Sequence, residues 1–417
     1  MPSIARKNLL EDIPRFLVAQ AGIIFAVTLV TIQTGILNGF SRSTTLLIQK
    51  SQADIWISSE EMVHFDLTEP ILFEQLAKAR QVKGVERAEA LIRGVAEWDV
   101  PQGDLTTVKV LGFDPQGQLF VPGNLTQGKL SALNEPYTII LDETNLNNLK
   151  LNQLGNRAEI GSLPAQLVGL TQDTQSIVSD EFVFTSLESA NAYLNSGITT
   201  RLDCQWKSGD IQCNNIYKKS LFNSSTEDSP VAAPEPLNSN TSIAYILIKA
   251  KPGQEIEELK KRLDIALYGT LAYTRTEMAQ KTRNHWVKRT GIGFILGLGA
   301  AVGVIVGMVI VGQILYASVS DHLKEFGTLK AMGASDWVIY GVIVEQALWM
   351  AVLGYIPGMV LCWGVSAWTL ASQGIVILIT PVTAVGVFGL TLVMCVSSAL
   401  FAIQKVTRVD PGIVFKA

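Results

Sequence analysis

The sequence predicts an α-helical membrane protein with four transmembrane helices and a large α+β extracytoplasmic domain between helices 1 and 2. Three observations predict it. Apolar residues concentrate at the two ends of the 417-residue chain, while the middle reads like a water-soluble protein. Only 17% of residues are charged and the mean hydropathy is +0.29, which sets the chain apart from soluble proteins of its size. The stretch Gly291–Ser318 is one long apolar run, and about 25 such residues suffice to cross a ~30 Å hydrocarbon core as a helix.

Residues 1–15 make a short cytoplasmic segment, and residues 16–40 the first span. A cleavable signal peptide is the competing reading. The apolar part is too long for one, and no small-residue cleavage site follows. Gln20 and Gln33 are its main polar intrusions and should face protein, where their amides find partners.

Residues 41–284 form the α+β domain. QADIWISS alternates as a strand does, and Ile71–Ala79 reads as a short helix. GVERAEALIRGVAEWDV and LTTVKVLGFDP are two strands around the turn-like PQGD. TIILDETNLNNLK reads as strand then helix, with two short strands after it. FVFTSLESANAYL and IAYILIKA with GQEIEELKKRLDIAL are two further strand–helix passages. The pattern suggests a split lobe with a β-rich insertion. The stretch 220–242 is a Pro/Ser/Asn-rich loop. Cys204 and Cys213 just before it pair as a disulfide if the domain lies in an oxidising compartment, and remain two thiols if not. Cys362 and Cys395 sit in apolar helices and act as small hydrophobes.

Residues 275–318 form a stalk and the second span. Arg275–Thr290 contains no Pro or Gly, so a rigid extension is expected. Gly299, Gly303 and Gly307 recur at four-residue steps, which puts small residues on one face. That face is expected to form the seam between two copies of the chain. Residues 319–337 leave the membrane as an amphipathic stub with Leu323, Phe326, Leu329 and Met332 at helical spacing, stopped at Gly333. The third span is 338–370, with Pro357 expected to bend it; a short loop 371–381, a fourth span 382–403 and a tail 404–417 follow.

Basic residues set the orientation. The amino-terminal segment, the 319–337 loop and the tail share one side and carry eight: Arg6, Lys7, Arg15, Lys324, Lys330, Lys405, Arg408 and Lys416. The short loop on the other side carries none. The eight mark the cytoplasm. The cluster Lys281, Arg283, Lys288 and Arg289 argues the other way and is read as a headgroup-facing surface, because long loops translocate largely regardless of charge.

A net charge of −4 excludes nucleic-acid binding by bulk electrostatics. No phosphate-cradling G-x-x-x-x-G-K-[ST] loop, G-x-S-x-G or H-E-x-x-H occurs. Asp142 and Glu143 read as helix-capping charges. Glu345 is the one acidic residue in a span, too few for an ion relay. No catalytic, cofactor or metal residue is expected.

One span, a large domain and three more spans, with Glu325-Phe326-Gly327-Thr328-Leu329-Lys330-Ala331-Met332-Gly333 after the second and Asp410-Pro411 in the tail, resembles the FtsX/MacB-type permeases of ABC systems. VKVLGFDP and YTIILDETNLNNLKLNQLG resemble the MacB-like periplasmic domain, and the wording of the first span and the domain is similar to DevC-type exporter permeases. The resemblance implies a non-catalytic inner-membrane subunit whose partners are two copies of a separate ATPase, which bind ATP and magnesium, and a second copy of itself. It also implies a membrane-fusion adaptor and a TolC-like outer-membrane duct, with lipid around the spans. Leu323, Glu325, Phe326, Gly327, Leu329, Lys330, Met332 and Gly333 would form the coupling helix, with Phe326, Leu329 and Met332 filling the ATPase groove. Export of an amphipathic or glycolipid-like substrate by mechanotransmission is the leading implication. A non-transporting FtsX-like transmitter that activates a hydrolase, and a lipoprotein-release permease, share the architecture.

Overall fold

The computed structural model describes residues 12–99, 106–174, 181–196, 200–207, 210–217, 232–322, 325–328, 332, 335–373 and 377–407, with backbone alone for 200–217. The chain divides into two units, residues 42–286 and residues 1–41 with 287–417.

Helix α1, Ile13–Lys50, opens the described chain and extends past the expected span edge at residue 40. Leu47 and Ile48 in its last turns are buried in the core of the first unit, which gives those turns a reason to stay helical. Next come β1 (Ile55–Ser59), β2 (Ile71–Leu72), α2 (Glu74–Gln81) and the long β3 (Val85–Asp99). The insertion carries β4 (Thr106–Phe113), β5 (Asn124–Gly128), β6 (Thr138–Asp142), β7 (Arg157–Ile160), β8 (Leu163–Gln172), β9 (Phe182–Ser186) and α3 (Leu187–Asn195). The hairpin β10 (Thr200–Lys207) and β11 (Asp210–Tyr217) and the short β12 (Ser242–Ile243) follow. The unit closes with β13 (Tyr245–Ala250), α4 (Ile256–Ala266), β14 (Thr270–Thr274) and α5 (Arg275–Thr290).

Four strands lie in the order β14-β1-β13-β3, each antiparallel to its neighbours. With α2 and α4 as the connections, this is a split β-α-β lobe. Strand β3 belongs to two lobes. Its first half, to Leu91, pairs with β13, and its second half, from Ile92, pairs with β4. From β4 the pairing runs to β9, β6 and β8, and β7 links β8 back to β3, so six strands close on themselves. The expected insertion is therefore a small barrel grown from one strand of the lobe.

Side chains alternate across the lobe as a two-sided buried sheet requires. Ile55, Ile57, Ile246 and Ile248 join the core that also holds Leu259 and Leu263 of α4. Trp56, Tyr245 and Leu247 join the opposite core, with Met278 and Ala279 of α5. The margin strand β14 has two of its amides taken by side chains. Ala272 N–H donates to Asp264 Oδ1 at 2.7 Å and Thr274 N–H to Glu277 Oε2 at 2.8 Å.

The helix expected after Asp142 is a single 3-10 turn, Glu143–Asn145. Asp142 accepts from Thr144 N–H at 3.0 Å and from Thr174 N–H and O–H at 2.7 Å each. Local capture of this kind competes with helix propagation. Asp142 is a structural cap, as expected.

In the second unit, α6 (Ile292–Asp321), α7 (Asp336–Gln373) and α8 (Pro381–Thr407) join α1 as four helices long and apolar enough to cross a membrane. Pro357 lies inside α7, which is assigned as one helix. The stalk is not continuous with the second span. Helix α5 stops at Thr290, Gly291 takes the left-handed conformation at φ 63°, and α6 begins at Ile292. Only glycine adopts that conformation without a steric cost, so the rigid extension expected from Arg275–Thr290 ends in a joint.

Candidate functional site

The segment between α6 and α7 is the first candidate. Among its described residues, Phe326 N–H donates to the His322 carbonyl at 3.0 Å and Met332 N–H to the Thr328 carbonyl at 3.0 Å, so the backbone makes helical turns. His322 Nδ1 lies 3.3 Å from Glu325 Oε1. Arg15 of α1 pairs with Asp321, the last residue of α6, and with Asp12 at 2.8 Å. Phe326 is 2% exposed and belongs to the helical core with Leu315, Val319, Ile339 and Ile343. This corrects its expected role: its ring is buried in the chain's own bundle and does not stand out as a groove-filling knob. Met332, by contrast, is 72% exposed, and Glu325 is exposed. Gly327 is buried beside Phe326. Leu323, Leu329, Lys330 and Gly333 lie outside the described residues.

The glycine face of α6 is the second candidate, and its expected role also changes. A Cβ on Gly299 would lie 2.2 Å from Gln33 Nε2, one on Gly303 2.9 Å from Leu29 Cδ2, and one on Gly307 2.6 Å from Met394 Sδ and 2.8 Å from Ala26 Cβ. The face is filled by the chain's own α1 and α8, so it is not open for a second copy. Helix α7 repeats the device. Gly354 meets Ile23 and Gly358 meets Val27, which makes α1 the hub of the bundle. Gln20 donates to the Met350 carbonyl at 3.4 Å, so both glutamines of the first span do face protein.

Cys204 and Cys213 stand directly opposite each other in the antiparallel β10–β11 pair. Directly opposed strand residues have Cα atoms about 4.5–5.5 Å apart, within the range a disulfide spans.

A charged group that sequence reading missed lies in the first unit. Asp66 Oδ1 is 2.9 Å from Arg93 Nη2 and 3.1 Å from Lys109 Nζ, and all three side chains are nearly buried. His64 stacks on His285 of α5 with ring centroids 4.3 Å apart, and Asp66 N–H donates to His64 Nδ1 at 3.1 Å. Burial, then the neighbouring His285, push the His64 imidazole down to about 4, with Arg93 and Lys109 adding to the effect and Asp66 opposing it. Residues 64, 93, 109 and 285 are far apart in the chain, and no spacing links them. Among the described residues no group of three or more potential metal ligands gathers.

Four apolar helices with a two-lobed domain between the first and second make this a multi-span membrane protein with a large extramembrane head. The MacB-like periplasmic core domain model matches residues 16–266, and the FtsX-like permease C-terminal model matches residues 297–411. The chain belongs to the MacB/FtsX-type ABC transporter permease family. It is 26% identical over 171 residues to the pyoverdine export ATP-binding/permease protein PvdT of Pseudomonas syringae pv. syringae, covering 40% of this chain and 26% of that protein. It is 28% identical over 123 residues to the macrolide export ATP-binding/permease protein MacB of Hyphomonas neptunium, covering 30% of this chain and 19% of that one. The matched stretch thus spans about a quarter of the length of the first relative and about a fifth of the second. The periplasmic region of MacB from Actinobacillus actinomycetemcomitans aligns with 57% of this chain and 96% of its own, at 11% identity and a TM-score of 0.36.

Proposed function

We propose that this chain is the membrane subunit of an ABC exporter for a lipid, a glycolipid or another amphipathic molecule. An ABC ATPase partner, in two copies, holds ATP and magnesium, and the permease itself works as a pair. The large domain faces the periplasm and meets a membrane-fusion adaptor that leads to a TolC-like outer-membrane duct. The segment between α6 and α7 faces the cytoplasm, which the basic residues of the short segments support. The names of the two relatives, export of pyoverdine and of macrolides, favour export over signalling.

One observation carries the reading. In the segment between two spans, Phe326 anchors the turn from beneath while Glu325 and Met332 stay on its surface. A helical turn fixed to the bundle, with a flexible apolar side chain free, suits a docking groove. ATP-driven closure of the ATPases then moves the segment and the helices attached to it. Gly291 interrupts the path through α5 and α6, so a push transmitted to the head relies on α1, which is helical without a break from Ile13 to Lys50.

The test is Met332→Asp in the full chain. It should weaken co-purification with the cognate ATPase at least about tenfold and abolish stimulation of its ATP hydrolysis, with the melting temperature unchanged. Undiminished association would remove the coupling assignment. Phe326→Asp is the poorer test, because a buried carboxylate would unfold the bundle by itself.

A further inference from the structure

The split lobe has a near end and a far end along the two helices that join it to the spans. Helix α1 is unbroken, and Ser43 and Thr44 lie within about 6 Å along it of the expected span edge at residue 40. They share the wall of a cavity of about 10 Å³ with Phe65 and Asp66. On α5, Thr282 Oγ1 accepts from Phe65 N–H at 3.1 Å, and His64 stacks on His285 and meets the Trp286 ring edge-on. His285 precedes Gly291 by about 9 Å of helix. The turn Val63–Leu67 is therefore held beside both helices close to where each enters lipid, whatever the angle at Gly291.

The far end is fixed as firmly. Arg275, which opens α5, donates through Nη1 to the Ser51 carbonyl and through its N–H to the Asp54 carbonyl, each at 3.1 Å. Strands β1 and β14 run between the ends, with Ile55 opposite Thr274 at the far end and Ser59 opposite Thr270 at the near end. Glu60 N–H donates to the Gly269 carbonyl at 3.1 Å, which puts the turn after α4 beside the 60–70 loop.

The large apolar side chains that the lobe exposes stand at the near end. Val63 and Leu67 are exposed and are drawn together by a 2.9 Å hydrogen bond from Val63 N–H to the Leu67 carbonyl. Ile265, in the last turn of α4, is 86% exposed, and Tyr268, in the turn after it, is 95% exposed. Leu72 and Leu271 are the others. One exposed apolar side chain needs no explanation, but a set confined to one end marks a contact surface. Lys288 and Arg289, exposed in the last turn of α5, suit the depth of lipid headgroups.

We propose that the near end of the lobe rests on the bilayer, with Val63, Leu67, Ile265 and Tyr268 in the headgroup layer of the adjacent leaflet. Aliphatic side chains beside a tyrosine match that layer, where an amphipathic ring finds both apolar and polar surroundings. Glu60, Glu61 and Glu69 are exposed around the loop and stay in water, which keeps the contact shallow. The inference goes beyond the export reading and does not depend on it, because it needs only that α1 and α6 cross a bilayer.

The test uses the full chain in phosphatidylcholine nanodiscs, with photoreactive p-benzoylphenylalanine replacing Leu67, Tyr268 or Gln52. Gln52 is exposed at the far end. All three positions are exposed, so the melting temperature should not change. After irradiation, lipid adducts on the chain are read by mass spectrometry. Positions 67 and 268 should each give at least about tenfold more lipid adduct than position 52, the ratio that burial of one such side chain sustains. Equal yields at the three positions would overturn the inference. So would crosslinking of positions 67 and 268 to a second copy of the chain in place of lipid, which would make this end an interface between protomers.

Discussion

The two units bury their interiors by different means. In the extramembrane unit the fully buried positions are large: Trp56, Trp98, Tyr245 and Phe184 fill both sides of the sheet. In the membrane unit the closest approaches are at small residues, with Gly303 and Gly307 of α6 and Gly354 and Gly358 of α7 receiving side chains of α1. The difference follows from the solvent. Water drives large apolar side chains inward, whereas lipid is as apolar as leucine and gives helices no such push. What holds spans together is close backbone approach, and glycine permits it. The outward face of α6 accordingly displays Phe294, Leu298, Val302, Ile305 and Val309, all of them exposed.

The largest effect that would sharpen this contrast is expected at Trp56. Truncation to alanine should cost about 3–5 kcal/mol in urea unfolding of the head, because its indole is enclosed and touches the Phe65 and Tyr245 rings at centroid distances of 6.0 and 5.6 Å. A loss under about 1 kcal/mol would mean that the lobe is not centred on this side chain.

Gly307→Leu comes next, at about 1–3 kcal/mol of bundle stability in detergent-driven unfolding, by overpacking against Met394 and Ala26. Self-association should be unaffected. Weaker self-association with unchanged bundle stability would return this face to a seam between copies.

The smallest effect is one of pH. The His64 pKa sits at about 4 in the fold, against an ordinary value near 6.5 in the unfolded chain, so the unfolded chain binds the proton first. The stability gained by keeping His64 neutral is complete above about pH 6.5 and is lost as pH falls toward 4. The melting temperature of the head should slope downward over that window, and His64→Asn should flatten the slope. An equal slope in both proteins would place the titration elsewhere.

Much of the fold was legible because its signals are local. Span lengths, the strands of QADIWISS and VKVLGFDP, and the amphipathic α4 follow from hydropathy and period alone. The split lobe could be suspected from two strand–helix passages at its ends. The barrel could not, because β7 closes it by pairing with both β3 and β8, and a four-residue strand carries almost no periodic signal. The candidate site was legible only as a stretch. Helical spacing put Phe326 and Met332 among the same apolar residues, and only packing separates the buried anchor from the exposed side chain. The glycine steps of α6 announced a close neighbour correctly, but period cannot say whether that neighbour is another chain or the same one. The Arg93–Asp66–Lys109 group left no trace, since each residue sits in a separate strand or turn.

An open rim on a sheet ordinarily invites another strand to dock and extend it. Here Asp264 and Glu277 already occupy the amides of Ala272 and Thr274 on β14, like stoppers in two sockets. A strand arriving on that side finds two of the donors it would need already taken, which works against sheet-to-sheet growth from one molecule to the next.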